Sequence, residues 1–305
     1  MILITGGNGY IGTVLSNLLI ENGEEFRVMD DLSGSDPLNL LFLNHINFFW
    51  GDIRKKQDVK KAFKDVDTVI HLAAKLPTTP GVLDEVKEEV SEVNYNGTLN
   101  VLEQARKSDS KVLFASSCNI YGIGENLNEQ SETKPLNSYS QSKLEAEKLC
   151  LDYHRNYGLN VKILRLASNY GYSPGVRFNL VINYFVLRSI LGYPLTVFGD
   201  GNNWRPFIHV KDAARSFLYL IDNGKSGEIY NVGGENLTIK EVAELVTSKI
   251  HPPIKVEFDD SYIPEFSYSV DFSKILELGF QPEYDLEMGI EHLSHKLRDL
   301  KELRK

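Results

Sequence analysis

With 305 residues, 42% of them hydrophobic, the chain is long enough to bury a substantial core in one large domain or two moderate ones. Its 33 basic and 42 acidic side chains leave a formal net charge of −9. Without a long basic run, that balance argues against general nucleic-acid or anionic-membrane binding. Two cysteines, Cys118 and Cys150, form neither a paired framework nor a metal-ligand spacing. No metal is therefore expected, and a reducing compartment is. No signal-peptide pattern precedes the first strand and no apolar run is long enough to span a bilayer, so the expectation is a cytoplasmic protein with no membrane partner.

The chain opens with "ILITGGNGYIG", residues 2–12, in which an apolar strand runs into dense glycine. Gly7, Gly9 and Gly12 satisfy G-x-G-x-x-G between a predicted strand and a predicted helix. Those glycines suit a tight turn, close backbone approach to a diphosphate, and close helix–sheet packing. The diphosphate would lie on the free N–H groups of the helix start. Ile11, Val14, Leu15, Leu18 and Leu19 then follow the spacing of one buried helical stripe.

A second strand ends at Asp30, eighteen residues beyond Gly12, about where an acid accepts hydrogen bonds from an adenosine ribose. Asp30 and Asp31 would repel a 2′-phosphate, and "MDDLSGSDPLNL" contains no Arg or Lys, which favours NAD over NADP. Asp52, closing the third strand in "FFWGDI", is placed to meet the adenine. Further apolar runs, "DTVIHLA", "KVLFASS" and "VKILRLA", alternate with helical spacings. Repeated strand–helix–strand order implies right-handed crossovers and an α/β fold, a doubly wound parallel sheet of the Rossmann kind. His71 in "VIHLAA" and His209 in "FIHV" read as packing residues.

"KVLFASS" delivers Ser116 and Ser117 to the carboxyl edge of that sheet, Ser117 being the better candidate to hydrogen-bond a reacting oxygen. "NSYSQSKLEAEKL" puts Tyr139 and Lys143 on one helix face. A phenol of pKa near 10 becomes a base at neutral pH only if cations lower it by about 4 kcal/mol. One ammonium at about 5 Å contributes roughly 3 kcal/mol at an effective dielectric of about 20.

After about residue 168 the alternation loosens at "SNYGYSPG". "LTVFGDGNNWRPFIHV" reads as two strands joined by a turn, and helices are predicted near 211–223, 238–250 and 286–303. The division expected is a dinucleotide-binding domain over 1–167, with parts of 195–232 returning to it. Residues 168–305 then form a smaller, mainly substrate-binding domain that closes over the sheet edge.

"TGGNGYIG", "VNYNGTLNVLEQA", "FASSCNIYG", "YSQSK", "LRLASNYG" and "GDGNNWRPFIHVKDAA" together resemble the extended short-chain dehydrogenase/reductase family. Within it, the chain is similar to the NAD-dependent epimerase/dehydratase branch that acts on nucleotide sugars. The resemblance implies that Tyr139 is the base, Lys143 its electrostatic partner and a nicotinamide-ribose ligand, and Ser117 the hydroxyl that positions the sugar. It implies that Gly6, Gly9, Tyr10, Ile11 and Gly12 border the diphosphate, that Asp30, Asp31, Asp52 and Ile53 surround the adenosine, and that Ala73 lies alongside. Asn94 would support the site through its helix. On the substrate side it implies Lys75, Asn119, Ser168, Asn179, Leu180 and Arg205, the last on the nucleotide diphosphate.

Such enzymes oxidise the sugar, usually at C4, to a transient ketone. The acidic pair that dehydratases carry after the catalytic hydroxyl is Cys118 and Asn119 here, and related decarboxylases also have a glutamate at the second position. Simple 4-epimerisation is therefore the first expectation, with a dehydratase or reductase using Cys118 as the rival and a non-catalytic NAD-binding regulator as the third reading. Ser168 stands where the family has asparagine, and Ser269 where it often has a second diphosphate arginine; Arg177 or Lys255 are the candidates to compensate. The resemblance also implies a homodimer, with helices near 93–107 and 139–156 pairing as a four-helix bundle.

Overall fold

The computed structural model describes residues 1–42, 46–76, 87–262, 264 and 266–302. Seven strands form one sheet: β1 (Ile2–Thr5), β2 (Phe26–Asp30), β3 (Asn47–Trp50), β4 (Thr68–His71), β5 (Lys111–Ser117), β7 (Val161–Leu166) and β11 (Glu228–Val232), the short β6 (Gly124–Leu127) lying outside it. Their order is β11-β7-β5-β4-β1-β2-β3, with every pairing parallel. The order reverses beside β1, and a doubly wound sheet opens its crevice at such a point.

Alternation along each strand sends neighbours to opposite faces. Ile4, Val28, Ile70 and Leu113 pack beneath α1 (Tyr10–Glu21) and α7 (Val210–Asn223) through Val14, Leu15, Ala213 and Phe217. Leu3, Met29, Val69 and Val112 face α2 (Lys56–Ala62), α4 (Thr98–Ser108) and α5 (Ser138–Tyr157), through Val59, Leu102 and Ala146. The short α3 (Lys87–Ser91) leads through a π-turn, Glu92–Gly97, into α4. The helix expected from 93 to 107 thus begins as a wider turn that carries Asn94.

A third core joins α6 (Val181–Leu191), α8 (Ile239–Lys249) and α10 (Leu286–Glu302) through Phe185, Val246, Ile290 and Leu293. Around it lie β8 (Ser168–Tyr170), β9 (Leu195–Phe198), β10 (Trp204–His209), β12 (Glu235–Thr238), β13 (Val256–Asp259), β14 (Tyr268–Val270) and α9 (Ser273–Glu277). The two strands expected in "LTVFGDGNNWRPFIHV" both form, but they do not pair. β9 joins β13, while β10 joins β8 and β12. The turn between them, with Gly199 and Gly201 at positive φ, switches the chain from one small sheet to another.

Candidate functional site

A cavity of about 560 Å³ opens along the carboxyl edge of β1, β2, β4, β5 and β7. Its floor is the glycine turn. Gly6 is in the left-handed region at φ +70°, and a Cβ there would lie 2.6 Å from the Ala73 backbone nitrogen. A Cβ on Gly12 would come within 2.5 Å of Gly7 Cα. The turn and the start of α1 hold their tight approach only with glycine. Gly9, the N-cap of α1, offers no side-chain cap, so the first N–H groups of the helix face the cavity without a side-chain acceptor at the cap. That cradle fits the diphosphate of a dinucleotide.

Tyr10 and Ile11 line the cavity too, but the Tyr10 hydroxyl is already engaged. It donates to the Gly171 carbonyl at 2.6 Å and accepts from Asn183 Nδ2 at 3.0 Å. Asp30 lies at the end of β2 with its carboxylate oxygens accepting from Asn8 N at 3.0 Å and Leu32 N at 2.8 Å. Burial raises its pKa while those N–H groups oppose the rise. Asp31, Asp52 and Ile53 complete this end. Sequence reading missed Arg54, whose guanidinium lies 2.8 Å from Asp52 and 3.9 Å from Asp31. Burial pushes Asp52 up, but bonds from Arg54 outweigh it and hold the carboxyl below the usual range. Arg54 thus sits closer to Asp52 than to Asp31.

At the other end the chemistry-bearing residues converge. Ser117 caps the turn Cys118–Tyr121, its Oγ accepting from Asn119 N at 3.2 Å, and its hydroxyl draws the pKa of the Tyr139 phenol down. The strand end beneath is braced from below. Ser116 donates to Glu147, whose carboxylate takes Arg165 Nη2 at 2.8 Å, and Arg165 Nη1 donates to the Tyr121 hydroxyl at 2.8 Å. Ser116 is therefore tied to a carboxylate on α5 rather than to backbone groups.

Lys143 sits one turn along α5 from Tyr139, with Nζ 4.6 Å from the centre of the Phe114 ring. Burial pulls its pKa down to about 8, opposed by Glu147 and Cys150. Burial pushes Tyr139 up to about 12, against the pull of Arg177 and the Ser117 hydrogen bond. Asn94 ties the walls together: its Oδ1 accepts from Lys75 N at 2.7 Å, and its Nδ2 donates to Lys75 O and Ser142 Oγ. His71 is bonded on both ring nitrogens, to Thr5 and Thr98, and is fully buried, as a packing residue should be.

On the substrate side Ser168, Asn179 and Leu180 all line the cavity, and so do Asn119 and Lys75. The Lys75 ammonium, however, pairs with Glu89 at 3.0 Å instead of pointing a free charge at a ligand. Asn169 also lines the cavity, one residue past the Ser168 position where asparagine was expected. Three further expectations need correction. Cys118 is fully buried outside the cavity lining, with Sγ donating to the Arg165 carbonyl at 3.2 Å, and burial drives its pKa far upward. The thiol is thereby kept out of reach of the cavity. Arg205 is not on the wall: it stacks over Phe266 and Tyr268 at 4.8 and 5.6 Å, and Tyr268 in turn bonds Asn119. Lys255 pairs with Glu257 on exposed β13, and Ser269 accepts from Asn126 N, so neither serves the cavity. Arg177 alone of the compensating candidates lines it.

Among the described residues, no helix is long and apolar enough to cross a membrane, and no group of three His, Cys, Asp or Glu could hold a metal ion. The profile of the NAD-dependent epimerase/dehydratase family matches residues 2–233. A putative UDP-glucose 4-epimerase of Methanocaldococcus jannaschii is 33% identical over 311 residues, 98% of this chain and 99% of its own. UDP-glucuronic acid decarboxylase 1 of Arabidopsis thaliana is 30% identical over 309 residues, 98% of this chain and 70% of that one. The crystal structure of a UDP-glucuronic acid 4-epimerase from Bacillus cereus, in complex with UDP-glucuronic acid and NAD, superposes with a TM-score of 0.88 at 26% identity, covering 98% of this chain and 99% of that one. The glycine cradle, the acid at the end of β2 and the match across most of the chain agree, and the chain belongs to the NAD-dependent epimerase/dehydratase family.

Proposed function

We propose that the chain is a nucleotide-sugar 4-epimerase that works through a transient 4-keto sugar. Tyr139 is the base, Ser117 positions the reacting oxygen, and Lys143 supplies charge beside the phenol. Gly6, Gly9 and Gly12 hold the cofactor diphosphate, with Asp30 on the ribose. NAD, when bound, supplies a hydride acceptor and a positively charged ring near Tyr139. Bringing a phenol from about 12 to neutrality takes about 7 kcal/mol. A single ammonium at about 5 Å contributes about 3 kcal/mol at an effective dielectric of about 20. Lys143 alone therefore leaves Tyr139 protonated, and the base emerges only in a loaded site.

The observation that carries the choice of reaction is the pair after Ser117. Cys118 is sealed against the Arg165 carbonyl, and the cavity-lining Asn119 cannot take up a proton. Elimination needs a second acid or base there, whereas returning the hydride to the other face of the ketone does not. The same position weighs against decarboxylation, despite the likeness to the Arabidopsis enzyme.

We further propose that 168–305, apart from the β11 and α7 region that packs with the main sheet, forms the sugar-side unit. α4 and α5, which lie against one another, would pair with a second copy as a four-helix bundle. Light scattering at micromolar concentration tests that, a monomer counting against it. The reaction is tested by incubating the protein with UDP-, GDP-, CDP- and dTDP-sugars and no added nicotinamide. A C4 epimer should form with no net cofactor reduction. Loss of water or carbon dioxide, or stoichiometric use of reduced nicotinamide, would replace this reading.

A further inference from the structure

Arg177 is unusual among the arginines. Every other arginine of the described residues donates a side-chain hydrogen bond, either to a carboxylate or to an oxygen of the backbone. The Arg177 guanidinium has no such partner among them, although the residue is half-buried. A partly desolvated cation without a counter-charge gains from any negative charge that forms beside it.

Its backbone, in contrast, is firmly held. The Arg177 carbonyl accepts from Asn183 Nδ2 at 3.0 Å, while Asn183 Oδ1 takes Gly171 N at 2.9 Å. Tyr10, from the start of α1, donates to Gly171. Two residues earlier in the same loop, Gly175 touches Gly9, where a Cβ would come within 3.3 Å of the Gly9 carbonyl. The 171–180 loop is thus seated on the glycine turn and presents one unpaired positive charge across the cavity.

Arg177 shares the lining of one cavity with two phenols, Tyr10 and Tyr139, and its charge acts on both. Tyr10 is fully committed to Gly171 and Asn183. Tyr139 is met by the Ser117 hydroxyl from β5, by Arg177 from the loop and by the phenol of Tyr268 on β14, while Lys143 follows one turn along its own helix. No carboxylate is among these groups. Lys75, the remaining basic residue of the lining, is neutralised by Glu89. With Lys143 near 8, its charge fades toward the alkaline side, whereas a guanidinium keeps its proton throughout.

Resting on the assignment of Tyr139 as the base, we propose that Arg177 is a positioning residue for it: a cation carried across the cavity by the 171–180 loop to stabilise the Tyr139 phenolate. The base is then competent only while that loop is seated on Gly9 and Tyr10, which couples closure of the sugar side to proton abstraction.

The test is a pH titration of near-ultraviolet phenolate absorbance in the NAD-loaded full chain. Each spectrum is read as the difference from the same protein carrying Tyr139→Phe, which isolates this phenol among the others. Arg177→Gln should raise the Tyr139 midpoint by about 1 to 2 pKa units and move the acidic limb of the kcat profile by the same amount. Arg177→Lys should restore most of the shift. Should Arg177→Gln not fold, Tyr10→Phe, which keeps the guanidinium but loosens its loop, should also raise the midpoint. A midpoint moved by less than about 0.3 of a unit overturns the proposal. So does a rise in KM with an unchanged pH limb, which would make Arg177 a ligand for the substrate diphosphate. If Tyr139→Phe keeps full turnover, the base assignment falls instead, and the titration still reports on the Arg177–Tyr139 pair.

Discussion

The two walls of the cavity are built on opposite plans. The wall under the glycine turn works through backbone: Gly6 and Gly12 bring peptide groups together at distances that exclude any side chain, and α1 starts at Gly9 without a side-chain cap on its first N–H groups. The wall from Ser168 to Leu180 works through side chains on a loop, and its one unpaired charge, Arg177, is held by hydrogen bonds to its carbonyl rather than to its guanidinium. A backbone wall tolerates no substitution but is indifferent to the chemistry performed above it. A side-chain wall can be altered residue by residue, and it is where substrate choice can change without loss of the fold.

The sharpest way to test this division is to remove chemistry and keep the frame. Tyr139→Phe should lower turnover by about 10²- to 10⁴-fold, the usual worth of a positioned proton acceptor, while the nucleotide released on denaturing the protein stays the same. Loss of that nucleotide together with activity would mean that Tyr139 belongs to the frame. Gly12→Ala does the reverse. Its Cβ meets three backbone atoms at 2.5–2.6 Å, so stability should fall by about 3 kcal/mol or more, with dinucleotide retention lost as well. Thermal unfolding and mass analysis of released nucleotides check both points.

The third comparison is between two buried histidines. His71 lies in the main sheet and His209 beside α10, and burial pulls each down to about 3. Unfolding returns them to about 6.5, so between those values the unfolded chain binds protons that the native one does not, and stability falls as pH falls. From pH 7 to pH 5 each should cost about 2 kcal/mol. His209→Gln should remove only its own share of that acid sensitivity in urea unfolding curves; an unchanged slope would show that His209 is protonated in the native state. The smallest effect is expected at the sealed thiol. Cys118→Ser should keep turnover within about threefold, below 1 kcal/mol, because a hydroxyl can donate to the same Arg165 carbonyl. A hundredfold loss would restore Cys118 as an acid or base.

How far these features were readable in advance follows the same division. The glycine turn, Asp30 and the seven-stranded sheet were largely legible, because period-two strands, helical stripes and glycine spacing are local patterns, though β11 lies far from its neighbours in the chain. Tyr139 and Lys143 were legible because four residues make one helical turn. The placement of Cys118 was not, since a strand end followed by a tight turn can point a side chain to either face, and here the brace of Glu147 and Arg165 draws it inward. Arg54 lies 23 residues beyond Asp31, and their proximity exists only because β3 pairs with β2. Arg205 was misplaced for a related reason: the aromatic pair that captures it comes from another part of the chain.

The contact of Gly175 with Gly9 bears on traffic as well as on catalysis. The 171–180 segment lies beside the start of α1, with Gly175 close to Gly9 and the Gly171 carbonyl held by the Tyr10 hydroxyl, so parting of that latch is the opening expected to widen the way out for a molecule stretched along the helix start. A catalyst that hands its borrowed electrons back in every cycle has no need for such departures, and a slow exit would cost it nothing.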